Sequence, residues 1–199
     1  MHEIQVVLDI GSSYGAFQYL IKRNYPNTHL ILVDLPEQNA VARYYLKSEF
    51  PDCRIAAFKD IRELDEITRD FVSNYDFILV PCFYLEKLGK GLADLVTNFV
   101  SFNEMSREWL NFYLQSDVFK TSKFLFMVNR IIKEQNVGVK ISILDMPLND
   151  YEHIHFDVCP YFKWWYQGKY FLGISYKAEK VWHDPVYEYI GKRRGTVQT

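Results

Sequence analysis

The 199-residue sequence has only three cysteines, Cys53, Cys82 and Cys159, and they are widely spaced. An odd number with no C-x-x-C pair argues against both a disulfide framework and a zinc finger. Long apolar runs are also missing, and no stretch is long enough to cross a bilayer. The chain enters a strand pattern directly at Ile4–Asp9, so we expect no signal peptide and a cytoplasmic location.

An excess of charge of either sign is absent too. The 23 Lys and Arg residues nearly balance the 25 Asp and Glu residues, which leaves a net charge of −2. Nucleic-acid-binding domains usually carry a basic surplus, so we expect no nucleic-acid partner. The basic run Lys192–Arg194 is short, and the sequence predicts a solvated tail there. The length fits one domain, comprising residues 1–199.

Short apolar runs alternate with helical patterns over the first 130 residues, which is typical of βαβ units and a parallel sheet. The predicted strands are 6–8, 30–33, 77–80, 95–100 and 124–128, with a short edge strand at 54–58 whose place in the sheet stays open. The predicted helices are 16–23, 36–50 and 105–114. Segments 139–144 and 170–176 are predicted to form an antiparallel edge. The fold class is therefore α/β, a Rossmann-like and mostly parallel sheet with an antiparallel C-terminal edge and helices on both faces.

The loop after the first strand is rich in small residues. Glycines there let the backbone approach a ligand, and the following helix offers unpaired N–H groups. The dinucleotide pattern G-x-G-x-x-G would need glycines at Gly11, Ser13 and Ala16, and only the first is present. The alternative without a ligand is a tight turn shaped by Gly11 and Gly15.

Asp34 ends the second predicted strand, 25 residues after Asp9. An acidic side chain in this place can accept hydrogen bonds from both ribose hydroxyls of a nucleoside. The alternative role is a helix cap. Together with the glycine loop, Asp34 favours a nucleoside ligand.

The loop resembles motif I of the class I S-adenosylmethionine-dependent methyltransferases, an acidic residue followed by G-x-G-x-G, with Ser13 in place of the middle glycine. Further blocks resemble one family within that class, the sugar O-methyltransferases of bacterial polysaccharide clusters. The blocks that carry the resemblance are 7–11 (VLDIG), 33–37 (VDLPE), 42–46 (ARYYL) with 50–51 (FP), 75–81 (YDFILVP), 101–105 (SFNEM) and 128–130 (VNR). Their order and spacing cover about residues 4–130.

The resemblance implies S-adenosylmethionine as the cofactor. It places the cofactor contacts at Asp9, Gly11, Ser12, Ser13, Gly15, Asp34, Leu35, Cys82, Phe83 and Asn98. Family members carry a helical segment before motif I, and we expect that segment to be absent here, so that this chain is either a fragment or takes its lid from elsewhere.

Methyl transfer to a hydroxyl gains from a base within hydrogen-bond reach of the acceptor. Glu104 is the first candidate for this base, although a carboxylate in a first helical turn can also be functionally silent. We expect Asn103 and Asn129 to orient acceptor hydroxyls and Arg130 to hold a carboxylate or phosphate of the substrate.

A second group of candidates is His153, His155 and Asp157. In an extended segment these residues share one face. His155 would then serve as a second catalytic base, or the three would hold a divalent metal ion. Such residues are more often solvated than ligating, and we favour a mechanism without metal.

The sequence therefore predicts an S-adenosylmethionine-dependent O-methyltransferase that acts on a sugar hydroxyl of a small molecule or glycan. Two alternatives remain. One is a non-catalytic or partial binding module that keeps the fold. The other, which the missing glycines disfavour, is an NAD-dependent oxidoreductase.

Overall fold

The structure is a computed structural model, and it describes residues 4–131, 133, 140–160, 170–171, 174–175 and 186–195. The strands are β1 (Val6–Ile10), β2 (His29–Asp34), β3 (Ile55–Ala56), β4 (Phe77–Pro81), β5 (Leu95–Phe99), β6 (Phe124–Arg130), β7 (Tyr151–Val158), β8 (Tyr170–Phe171), β9 (Ile174–Ser175) and β10 (Val186–Arg193). The α-helices are α1 (Ala16–Asn24), α2 (Pro36–Glu49), α3 (Phe58–Ile61), α4 (Arg69–Val72), α5 (Ser101–Glu104), α6 (Arg107–Gln115) and α7 (Asp117–Thr121). Shorter 3₁₀ turns occupy Cys82–Lys87, Ile143–Asp145 and Leu148–Asp150.

Eight of the strands form one sheet in the order β3-β4-β2-β1-β5-β6-β10-β7. The strands from β3 to β6 are parallel, and β10 pairs antiparallel with both β6 and β7. The strand order reverses at β1, which lies between β2 and β5. In open α/β sheets a ligand site forms at the carboxyl edge beside such a reversal.

Helices cover both faces of the sheet. Leu8 of β1 packs in one buried cluster and its neighbour Val7 in another, because successive strand residues point to opposite sides. The cluster around Val7 includes Leu46 of α2, whereas the cluster around Leu8 includes Leu110 of α6 and Phe119 of α7. The predicted mostly parallel sheet with helices on both faces is confirmed.

The helices begin at residues with recognisable capping chemistry. Pro36 opens α2, where its missing N–H removes no helical hydrogen bond. Ser106 caps α6 by accepting a hydrogen bond from the Trp109 N–H at 3.3 Å. The predicted helix from 105 to 114 therefore starts two residues later, and a separate short helix, α5, precedes it.

An antiparallel C-terminal edge is present, but the prediction assigned it to the wrong segments. Its strands are β7 and β10. Of the predicted segment 139–144, residue 139 lies outside the described residues and Ile143–Asp145 form a 3₁₀ turn. In the segment 170–176, β8 and β9 pair with each other in a two-stranded sheet and with no other described strand, and residues 172, 173 and 176 lie outside the described residues.

The basic run Lys192–Arg194 is not the solvated tail that the sequence predicted. Lys192 and Arg193 end β10, and Arg193 donates to the backbone oxygens of Ser122 and Phe119 at 2.9 and 2.8 Å. The uncertain edge segment 54–58 contributes only β3, which pairs in parallel with β4. Within the described residues, no helix is both long and apolar enough to cross a membrane.

Candidate functional site

A cavity of about 480 Å³ opens at the carboxyl edge of the sheet, where β1, β2, β4 and β5 end. The loop after β1 lines it through Gly11 and Ser13, and the end of β2 through Asp34 and Leu35. Its size falls in the range of small-molecule and cofactor pockets. The cavity therefore lies beside β1, where the strand order reverses.

The loop after β1 depends on its first glycine for close packing. Gly11 has φ +77°, and a Cβ atom there would lie 2.0 Å from Ser101 Oγ and 2.5 Å from Ser101 Cβ. Gly15 caps α1 at φ +92° and faces Leu46 of α2. Gly11 thus meets a structural need, because any side chain there would collide with Ser101 and disturb the fold.

Ser13, in the middle of the loop after β1, is hydrogen-bonded to the residue that ends β2. Ser13 has φ +52°, and its backbone N–H donates to Asp34 Oδ2 at 2.6 Å. The other carboxylate oxygen of Asp34 accepts from the Leu35 N–H at 2.7 Å. A carboxylate has about four lone-pair sites, so this half-buried group, which lines the cavity, has capacity for further hydrogen bonds. A ribose diol would need such an acceptor.

Ser12 was also predicted to contact the cofactor, but its side chain is buried and does not line the cavity. Its hydroxyl has no hydrogen-bond partner within the described part of the chain. The Ser12 backbone oxygen accepts from the Gly15 N–H at 3.2 Å, which closes the turn into α1.

Asp9, another predicted contact, is buried beneath the loop rather than in the cavity wall. Its carboxyl group accepts hydrogen bonds from Gln18 Nε2 of α1 at 2.5 Å and from Thr97 Oγ1 of β5 at 2.6 Å. Desolvation in this buried place outweighs those two hydrogen bonds and raises the pKa of Asp9 to about 7. Asp9 therefore joins β1, α1 and β5 and shapes the loop from below.

Three buried asparagines predicted at the site support the backbone around it. Asn98 Nδ2 donates to the Ile10 oxygen at 2.7 Å, and Asn98 Oδ1 accepts from Asn129 Nδ2 at 3.0 Å. Asn103 accepts from the Arg130 N–H at 2.8 Å through Oδ1 and donates to the Ile141 oxygen at 2.6 Å through Nδ2. None of the three lines the cavity, so their amides hold the β5 and β6 ends in place.

The opposite wall contains Cys82 and Tyr113. Burial raises the pKa of the Cys82 thiol, and desolvation with the nearby Cys82 raises that of the Tyr113 hydroxyl. Both groups are therefore protonated at neutral pH and neither is a base. Phe83 projects outside the cavity and shares a neighbouring surface groove with Trp109 and Phe112.

Glu104 lies at the end of α5, exposed to solvent, and lines the cavity. Apart from Asp34, it is the only carboxylate among the described lining residues. The two lining carboxylates differ, because each oxygen of Asp34 already accepts a backbone N–H bond whereas Glu104 is exposed at the cavity.

Arg130 and His155 lie away from this cavity. Arg130 ends β6 and is not a lining residue. His155 lies on β7, the outermost strand, and its Nε2 is 2.9 Å from Glu188 Oε1 on β10.

The expected convergence of His153, His155 and Asp157 does not occur. A β-bulge opposite Ile190 and Gly191 shifts the register within β7. The ring of His153 consequently packs edge-on against Tyr189, with centroids 5.3 Å apart, while His155 meets Glu188 on the other face. No group of three or more metal-binding side chains exists within the described ranges.

Several lining residues were missed by the sequence prediction, chiefly those after β5 and on α6. Val100 adopts φ +66°, a strained conformation for a β-branched residue, and so turns the chain toward Ser101 and Gly11. Trp109 and Tyr113 are four residues apart on α6, which puts both on the cavity side. In the sequence, that i, i+4 aromatic pair was the one feature that indicated these lining residues.

No family model matches the chain, and no curated protein matches its sequence. Solved structures do share its fold. The mitomycin 7-O-methyltransferase MmcR aligns with a TM-score of 0.57 at 13% identity, over 96% of this chain and 49% of MmcR. PigF, solved with SAH, aligns at 0.54 and 14% identity over 97% of this chain and 52% of PigF. TehB from Haemophilus influenzae aligns at 0.58 and 10% identity, over 95% of this chain and 57% of TehB.

These likenesses establish the Rossmann-like methyltransferase fold. The chain spans about half the length of MmcR and of PigF.

Proposed function

We propose that this chain binds S-adenosylmethionine in the 480 Å³ cavity and acts as an O-methyltransferase. One observation carries the proposal: Asp34 ends β2 beside the loop after β1 and lines the cavity, and each of its carboxylate oxygens accepts one backbone N–H bond, which leaves capacity for more. The MmcR and PigF structures support the same cofactor class, since one is an O-methyltransferase and the other was solved with SAH.

The residues of the cavity fit this cofactor. Asp34 would accept hydrogen bonds from the ribose hydroxyls, and Leu35 and Cys82 provide apolar surface on either side of the space next to it. Gly11 and Ser13 place the backbone of the loop in the cavity wall. S-adenosylmethionine supplies an electrophilic methyl group on a positively charged sulfur.

The chain's own contribution is to orient the acceptor and remove its proton. Orientation in a closed site supplies up to about 7–11 kcal/mol of barrier reduction in favourable cases. Glu104 would accept the proton from the attacking hydroxyl, a role worth about 10²–10⁴-fold in rate.

We propose a sugar hydroxyl as the acceptor. Trp109 lines the cavity on the same side as Glu104, and its indole is 44% exposed. An exposed aromatic face can stack on the apolar face of a sugar ring. The proposed base, Glu104, and the stacking surface of Trp109 would then lie at the same rim of the cavity.

The second candidate is a binding module without catalytic activity. One observation favours it: neither Asn103 nor Asn129 lines the cavity, since Asn103 bonds to the backbone of Arg130 and Ile141 and Asn129 donates to Asn98 Oδ1. Such a module would bind the cofactor and leave every acceptor unmethylated.

Calorimetry with S-adenosylhomocysteine and with NAD tests the cofactor. We expect S-adenosylhomocysteine alone to bind, and Asp34→Ala to weaken binding about 10- to 100-fold, because two hydrogen bonds to a charged acceptor are lost. Asp52→Ala, an exposed carboxylate after α2, is the matched control. Equal affinity of the Asp34 variant, folded by circular dichroism, would refute the ribose assignment.

Methyl transfer to a glycan panel then separates the two candidates. Transfer of labelled methyl to a sugar supports the enzyme, and cofactor binding with no transfer to any acceptor supports the module.

A further inference from the structure

A second cavity, of about 740 Å³, lies at the opposite edge of the sheet, where β6 begins and β10 ends. We call it the basic cavity. The charged side chains that line it are Lys120, Lys123, Asp150, Lys192, Arg193 and Arg194. Five of these six groups are cationic in a chain whose net charge is −2.

Arg193 has a structural role in the basic cavity. Its guanidinium donates to the oxygens of Ser122 and Phe119 and to the Tyr151 hydroxyl, and it stacks on the Tyr151 ring at 4.5 Å. These bonds fix the end of β10 against the end of α7. They also satisfy carbonyl groups at the negative end of that helix, which would otherwise repel an anion.

Three of the remaining cations keep unused donors. Lys123 pairs with buried Asp94 at 2.9 Å, although Asp94 also pairs with Arg69 at 2.6 Å. Lys120 and Lys192 form no ion pair with any described residue. Among the described contacts, the Arg194 side chain uses Nε alone, which donates to the Tyr151 oxygen at 3.1 Å.

Like charges gathered around one concave surface repel each other unless an anion lies between them. We propose that the basic cavity binds a small anion that carries two or more phosphate groups. Lysine and arginine donors suit phosphate oxygens. Three cations that pair with no described residue exceed the charge of a single carboxylate, and the volume accommodates a nucleotide-sized ligand.

This site is separate from the methyl-transfer site. The seven residues of β6 span about 20 Å at roughly 3.3 Å per residue. The basic cavity adjoins the first residue of β6, whereas the cofactor cavity lies toward the other end of the sheet. One small ligand cannot fill both.

Calorimetry at fixed ionic strength with inorganic tripolyphosphate and with orthophosphate tests the proposal. Tripolyphosphate should bind at least tenfold more tightly, since it meets several cations at once. The double variant Lys120→Gln/Lys192→Gln should lose at least tenfold in tripolyphosphate affinity. The control Lys47→Gln/Lys59→Gln removes two exposed lysines elsewhere and should change it less than twofold. S-adenosylhomocysteine binding should stay the same in both variants.

Three results would overturn the proposal. Equal losses in the two double variants would show attraction to the overall charge only. Equal affinities for orthophosphate and tripolyphosphate would show that the cations do not act together. Binding to anionic phospholipid vesicles that depends on Lys120 and Lys192, with no heat from tripolyphosphate, would assign the cations to a membrane surface. Unchanged circular dichroism spectra confirm that each variant is folded.

Discussion

The buried carboxyl of Asp9 gives the fold a pH dependence that one substitution should remove. Its pKa is raised from 3.8 to about 7 because burial penalises the ionised form. A pKa raised by folding stabilises the protein fully below the unfolded value, and that stability is lost as pH rises through the folded value. For these two pKa values the loss between pH 5 and pH 8 is about 2–3 kcal/mol.

Asp9→Asn imitates the protonated carboxyl. The Asn oxygen still accepts from Thr97 Oγ1, and its NH₂ group can donate to Gln18 Oε1 once the Gln18 amide makes a half-turn. That Gln18 oxygen is buried and has no partner among the described residues. The variant should therefore match the wild type only below the unfolded pKa of 3.8, and its advantage should grow by about 2–3 kcal/mol between pH 5 and pH 8.

Urea unfolding followed by fluorescence at pH 5, 6, 7 and 8 measures this difference. Asp94→Asn is the control. Asp94 is also buried, but the Lys123 ammonium, the N–H groups of Gln5 and Val6 and the Arg69 guanidinium outweigh desolvation and lower the pKa of its carboxyl. Asp94→Asn should lose about 1–3 kcal/mol equally at all four pH values. A pH-independent difference for Asp9→Asn would refute the reasoning.

Further predictions concern the two cavity walls. Gly11→Ala should lower the free energy of unfolding by about 2 kcal/mol or more, because its Cβ would collide with Ser101. Ser101→Gly in the same chain should recover part of that loss, as measured by urea titration. Strictly additive effects of the two substitutions would contradict the close contact. Glu104→Gln should reduce turnover about 10²–10⁴-fold with unchanged S-adenosylhomocysteine affinity, and a collapse in that affinity would make Glu104 a binding residue. Methyl transfer should survive EDTA, since the bulge separates His153 from His155; loss with EDTA and rescue by magnesium would contradict this. Val100→Gly should not lower the melting temperature, because glycine relieves about 1–3 kcal/mol of backbone strain.

The parallel part of the sheet could be predicted because its strands are uninterrupted apolar runs that end at turn residues. Asp34 and Gly11 were found for the same reason: each stands directly after such a run, at the edge where ligands bind. The antiparallel edge could not be found this way. Polar and apolar residues do alternate from His153 to Val158, but residues 151–158 are mostly exposed and lack the buried apolar run that identified the parallel strands.

The misplaced site residues share a physical cause. Asn98 and Asn129 lie near the ends of β5 and β6, and Asn103 lies in the helix after β5, where binding residues are also found. Sequence position does not distinguish an amide that faces a cavity from one that bonds to buried groups of the protein. The bulge in β7 could not be foreseen either. It shifts the register by one residue, and a one-residue shift moves a side chain to the other face of the sheet.

The tether between Asp34 and the Ser13 N–H has a consequence for the thermodynamics of ligand capture. The loop after β1 is already held in its strained conformation before any ligand arrives, so binding need not lose the conformational entropy of ordering that loop, which is about 1–2 kcal/mol for each residue fixed. Affinity then reflects contacts rather than loop closure. The Ser13 amide, protected by that hydrogen bond, should exchange its hydrogen slowly even in the ligand-free protein.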